Sequence, residues 1–101
     1  MAKKMTGQGR EMDILAFLHR NRIVNDQWVT VGEYARFAGI SRSPYLTKVF
    51  NNLIDRCWLS MQQEPYRATV MYTFSPNYEH IEKYYPEVKT ELIQKVGAWK
   101  E

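Results

Sequence analysis

Between Thr30 and Pro44 the chain writes two helix starts around one helix stop, an order that few folds accommodate. In "TVGE", residues 30 to 33, the Thr30 hydroxyl can accept from the Glu33 amide while the Glu33 carboxylate returns to the Thr30 amide, a capping box that opens one helix. Tyr34, Ala35 and Ala38 form its inner side, and Gly39 permits the left-handed backbone that ends it, with Ile40 placed to plug the angle that follows. Ser43 is a cap and Pro44 fits a first helical position, where the missing amide hydrogen costs nothing, so a further helix is predicted from about Pro44 to Arg56. At about 100° per residue, Leu46, Val49, Phe50, Leu53 and Cys57 gather on one side of that helix; Lys48, Asn51 and Asp55 fall opposite, with Tyr45, Thr47 and Asn52 on the flanks. One side must be buried, and the other is then displayed.

The flanking segments supply what that helix packs on. From Arg10 to Asn21 the apolar Ile14, Leu15, Phe17 and Leu18 recur at helical spacing, with Glu11, Asp13, His19 and Arg20 expected outside. "IVNDQWV" fits a short strand near Gln27 to Val29, and "CWLSM" and "ATVMYTF" read as two more strands. Between these two, residues 62 to 67 read as a polar hairpin tip whose Pro65 forbids a regular central strand. Trp28, Trp58, Tyr72 and Phe74 are expected in the core, and Cys57 as a small buried filler. Residues 1 to 9 read as a flexible basic arm.

After Phe74 a second Ser-Pro pair starts another helical segment, which Pro86 must bend or restart. In it Ile81, Tyr85, Val88, Leu92, Val96 and Trp99 recur at steps of three or four. The stripe is long for a tail packing only on its own small domain, so residues 76–101 are expected to pair with a second copy across a two-fold axis. The alternative is that the tail folds back on the first helix. The chain thus divides into an arm (1–9), a domain (10–75) and a C-terminal helical extension (76–101).

With 101 residues, 45% hydrophobic and 25% charged, there is material for one domain with one modest core. The net charge of +3 is unevenly spread: ten basic against six acidic side chains give +4 in residues 1–75, and four against five give −1 in residues 76–101. Cys57 is the only cysteine, which excludes a disulfide within the chain and makes a reducing cytoplasm the expected compartment. No apolar run approaches the roughly 20 residues needed to cross a bilayer, and no apolar segment follows the basic start, so neither membrane insertion nor secretion is expected. His19 and His80 lack partners at metal-ligand spacing, and His19 is expected at a helix end or against phosphate. No nucleophile with a nearby base, no glycine-rich phosphate loop and no paired acid points to catalysis or to a cofactor. An enzyme is not expected.

The order helix, strand, helix, turn, helix, strand, hairpin, strand over residues 10 to 75 resembles the winged helix-turn-helix domain. The resemblance is carried by Thr30 and Glu33, "ARFAGIS" at 35 to 41 and "LTKVFNNLIDRCWL" at 46 to 59; the bacterial MarR-like and PadR-like regulators are nearest in plan, since they add helices outside the winged core. It implies an α+β, mainly helical fold: a three-helix core with a β-hairpin wing, plus the C-terminal helical extension. Cys57 stands where such domains often place Gly, so a wider or longer exit from the third helix is expected.

The resemblance further implies a sequence-specific double-stranded DNA-binding protein, a homodimeric transcriptional repressor acting by occlusion, with the third helix in the major groove. Asn51 and Asn52 would then pair with adenine, Lys48 with guanine, and Tyr45 and Thr47 with phosphate or a thymine methyl. Arg42 and Ser43 in the turn would meet the backbone; Arg67, with Tyr66, Gln62 and Gln63, would follow the adjacent minor groove, and Lys3, Lys4 and Arg10 would add phosphate contacts. Two other readings fit the same residues: a winged protein-docking module, and a replication or partition protein of a mobile element. No effector pocket can be derived.

Overall fold

The computed structural model describes residues 7–100. Helix α1 spans Gly7–Arg20 and runs on through a π-helical turn, Asn21–Asn25, that Asp26 closes at φ 52°. Helix α2 is Val31–Ala38 and helix α3 is Pro44–Asp55. Strands β1 (Leu59–Tyr66) and β2 (Thr69–Pro76) form an antiparallel ribbon, followed by α4 (Tyr78–Tyr84) and α5 (Pro86–Val96). The fold is α+β and mainly helical, with a layout compatible with a winged helix. Among the described residues, no helix is long and apolar enough to cross a membrane.

The local signals act where the side chains require them. Thr30 Oγ accepts from Glu33 N at 3.0 Å and Glu33 Oε1 accepts from Thr30 N at 2.8 Å, closing the capping box. Gly39, at φ 71°, lets its own amide reach Arg36 O and the Ile40 amide reach Ala35 O, so the last carbonyls of α2 are satisfied. Ser43 Oγ accepts from Leu46 N at 3.4 Å, and Pro44 opens α3. The exit from α3 is tighter than expected: Cys57 itself takes the left-handed conformation at φ 63°, its amide reaching Ile54 O and the Trp58 amide reaching Leu53 O. This aims Cys57 outward, so the thiol is exposed rather than a core filler.

Other expectations also change. The strand near Gln27 to Val29 reduces to one bridge, in which Val29 and Phe74 exchange hydrogen bonds of 3.0 and 2.7 Å. The ribbon is longer than its polar composition suggested, because pairing continues through residues 62–66 and only Arg67 and Ala68 make the turn, Arg67 at φ 57°. Pro65 is accommodated because a two-stranded ribbon has only edge strands. Residues 7 to 9, assigned to the arm, already belong to α1.

The core sits between α1, α3, the base of the ribbon and the tail. Ile14, Leu15 and Leu18 meet Leu46, Val49, Phe50 and Leu53, and Phe50 links the layers, 6.1 Å from the Tyr34 ring and 5.0 Å from the Phe74 ring. Several polar groups caught inside are paired, although Arg10 Nε, Arg22 Nε and Trp58 Nε1 are buried without a hydrogen-bond partner among the described residues. Glu11, only 4% exposed and not outward as expected, accepts from Arg56 at 2.6 Å, and the buried Tyr34 hydroxyl donates to Asp13 at 2.5 Å while accepting from Arg10 at 2.9 Å. Burial pushes the Tyr34 hydroxyl well above its ordinary range, and the Asp13 bond adds to the shift.

The tail folds back. Ile81, Val88 and Leu92 are buried in this same core and α5 lies against α1, while Tyr85 and Trp99 are half-buried against it and Val96 is half-exposed. These six residues were the expected dimer seam; most of their apolar surface is consumed within one chain, because the helix breaks at Tyr85 and restarts at Pro86, and α5 lies against α1. The closure is sealed by His19, fully buried rather than facing phosphate. Its Nε2 lies 2.7 Å from Ala98 O and its Nδ1 2.8 Å from the Tyr78 hydroxyl, with the Trp99 ring 5.3 Å away. The neutral ring satisfies both contacts, Nε2–H donating to the carbonyl and Nδ1 accepting from Tyr78.

Two outcomes follow from this packing. Leu92→Ala should cost about 2–5 kcal/mol, read as a fall in melting temperature that does not depend on protein concentration; a seam between copies would make it concentration-dependent. Burial holds the His19 imidazole below its ordinary value of 6.5. The unfolded chain therefore takes up a proton that the folded chain resists, and the stabilisation is complete above pH 6.5 and lost as pH falls below it. Urea unfolding compared at about pH 7.5 and about pH 5 should show that decline in the native chain and a weaker one in His19→Gln.

Candidate nucleic-acid interface

Helix α3 is seated by its apolar side, and the phase of the helix then dictates the rest. Tyr45, Thr47, Lys48, Asn51 and Asn52 are all exposed, as is Arg42 in the preceding turn; Ser43 is half-buried because its hydroxyl caps the helix. Arg67 is exposed at the ribbon tip with its guanidinium 5.4 Å from the Tyr66 ring centre.

The tertiary structure sorts these residues into groups that a helical projection does not reveal. Arg42, Thr47 and Asn51 come together along a groove of about 760 Å³ whose floor is the start of α2 and whose far wall is the ribbon. The Arg42 chain lies along Gly32, whose missing side chain would stand 3.5 Å from Arg42 Cδ. Arg36, from α2, joins the same groove, as do Met61, Tyr66, Val70 and Tyr72 from the ribbon. Lys48 stands exposed outside this lining, and Tyr45 lies close enough to Arg10 to interact electrostatically.

Asn52 belongs elsewhere. It lines a second cleft, of about 670 Å³, with Glu11, Arg56, Glu87 and Glu91, so α5 places carboxylates on the side of α3 to which Asn52 points. The two asparagines are adjacent in sequence but about 100° apart around the helix, and the tail makes that difference electrostatic. Arg10, expected to meet phosphate, lies in α1 and donates to the Tyr34 hydroxyl; Lys3 and Lys4 lie outside the described residues.

The charged side chains in the groove's described lining are two arginines and one glutamate, a net excess of one positive charge. Arg36 and Arg42 face it against Glu33, whose carboxylate is engaged by the Thr30 amide at 2.8 Å. Such a surface can hold an anion along the α2 side and offer the Asn51 amide and Thr47 hydroxyl to hydrogen-bonding edges. Sequence reasoning missed Arg36, on a helix read only for its inner side, and misplaced Tyr72, which is 44% exposed instead of core. Its alternation with Val70 and Phe74 placed Tyr72 on the inner ribbon face, but that face is covered only near its base.

Among the described residues no group of three or more His, Cys, Asp or Glu is arranged to hold a metal ion. Compared with known proteins, the chain matches no family model, and no curated protein and no solved structure matches it.

Because Ser43 is spent as the α3 cap over a long 3.4 Å contact, Ser43→Ala should lower stability by the small end of the usual capping range, about 0.5–1 kcal/mol, while Ser43→Asp preserves it. Denaturant midpoints at fixed slope measure both.

Proposed function

We propose that this chain is a double-stranded DNA-binding protein of winged helix-turn-helix plan that seats the outer face of α3 in the major groove and regulates transcription by occluding its site. The observation that carries the reading is the groove just described: Arg36, Arg42, Thr47 and Asn51 converge, and among the described lining residues two arginines outweigh one carboxylate, that of Glu33. Lys48 extends the donor line beyond it. A helix of twelve residues is about 18 Å long, and the major groove, about 12 Å wide, admits one such rod.

In this reading Asn51 pairs in two-pronged fashion with adenine, Lys48 and Arg42 bind guanine or phosphate, and Asn52 stays off the duplex because Glu87 and Glu91 share its cleft. Recognition of an inverted repeat by two copies is compatible with it, and because Ile81, Val88 and Leu92 are interior within one chain, this reading puts the pairing surface elsewhere. A protein-docking winged domain is the competing reading, and the exposure of Met61 and Val70 on the ribbon favours it.

Selection from a random duplex pool, followed by anisotropy titrations at several salt concentrations, tests the proposal. Lys48→Ala should weaken binding to all sequences and lower the salt slope by about one. Asn51→Ala should cost about 1–3 kcal/mol at its preferred site, and Asn52→Ala should change nothing. Wild-type affinity in both Lys48→Ala and Asn51→Ala would end this assignment.

A further inference from the structure

The ribbon is poor in charge and rich in exposed apolar surface. Every residue from Met61 to Val70 is exposed, and only Glu64 and Arg67 among them are charged. The pairing Met61↔Phe74, Gln63↔Tyr72 and Pro65↔Val70 puts Met61, Pro65, Val70 and Tyr72 on one face, and three of these line the groove. The Tyr72 side chain makes no hydrogen bond, ring contact or cation contact among the described residues. It presents a free aromatic ring across the groove from Arg42, Thr47 and Asn51. Tyr66 lines the same groove with Arg67 over its ring.

A wing that only tracks the backbone of an intact duplex has no need of such a wall. In continuous duplex the faces of the bases are covered by their neighbours, and an aromatic ring has no base face to meet. Cations for phosphate, an amide for a base edge and an open ring for a base face are instead the components of a site for unpaired nucleotides. The volume, about 760 Å³, is within the range of small-ligand pockets.

We infer that the groove between α3 and the ribbon receives an unpaired nucleotide stacked on Tyr72, so that the preferred ligand is duplex DNA continuing into a single strand. The inference rests on the DNA-binding reading above and narrows its substrate class. Arg36 is placed for the phosphate of that nucleotide and Met61 and Val70 exclude water behind its base, while Arg42, Thr47, Lys48 and Asn51 keep the duplex contacts assigned above.

The test uses the full chain and three fluorescent probes: a blunt duplex, the same duplex with a single-stranded thymidine tail, and that duplex with a tail of abasic sugars, which adds phosphates but no base faces. The tailed duplex should bind about tenfold more tightly than the blunt one, and the abasic tail should recover little of this. Tyr72→Ala should remove the advantage while Tyr72→Trp retains it, and blunt-duplex affinity should be unchanged in both. Equal binding of blunt and tailed probes, an advantage kept by the abasic tail, or one that survives Tyr72→Ala overturns the inference and leaves the duplex reading standing. Absence of binding to all three probes overturns both. Because Tyr72 is exposed, its variants should melt like the native chain, and circular dichroism checks that they are folded.

Discussion

The burial of one side of α3 is the constraint on which the rest depends. Leu46, Val49, Phe50 and Leu53 are all removed from water against α1 and the ribbon base. At about 1.5–3 kcal/mol for each side chain, turning the helix to hide its polar side would forfeit an amount comparable with the whole stability of a small domain, about 5–15 kcal/mol. The helix therefore has one rotational setting. Arg42, Lys48 and Asn51 are outside because the greasy residues cannot be.

The two sides of α3 differ because of what flanks them. Toward α2 and the ribbon, the described groove lining carries two arginines, Arg36 and Arg42, against one carboxylate, that of Glu33. Toward α5 the helix meets Glu87 and Glu91, with Glu11 neutralised by Arg56 at the base of the cleft. A tail with net charge −1 thus acts on a domain with net charge +4 by position, confining the cationic surface to one side of the helix. His19 has a part in this, since its bonds to Tyr78 and Ala98 tie both ends of the tail to α1.

The ribbon shows how exposure depends on what is available to cover a face. Phe74, near the base, is buried by α3 and bridged to Val29; Tyr72, two residues nearer the tip and on the same face, is exposed in the groove. The same alternation therefore yields a core residue and a free ring. The proposed duplex contact by α3 and the inferred capture of a base by the ribbon would use opposite walls of one groove, and the second would give a reason for apolar side chains where a backbone-tracking wing would carry lysines.

What the sequence determined by itself was local and amphipathic. The Thr30–Glu33 box, the Gly39 stop, the Ser43-Pro44 start and the phase of α3 are set by neighbours within a few residues, where hydrogen bonding and helical periodicity leave little choice. The six-residue stripe in the tail was equally legible as apolar, but its partner was not: periodicity states that a face must leave water, never against what. Only the tertiary structure decided that α5 covers α1, that His19 and Glu11 are interior, that Asn51 and Asn52 face opposite electrostatic surroundings, and that Tyr72 lies beyond the reach of the core. Each of those depends on which distant segment arrives to cover a surface, and that is settled by the packing of the whole chain.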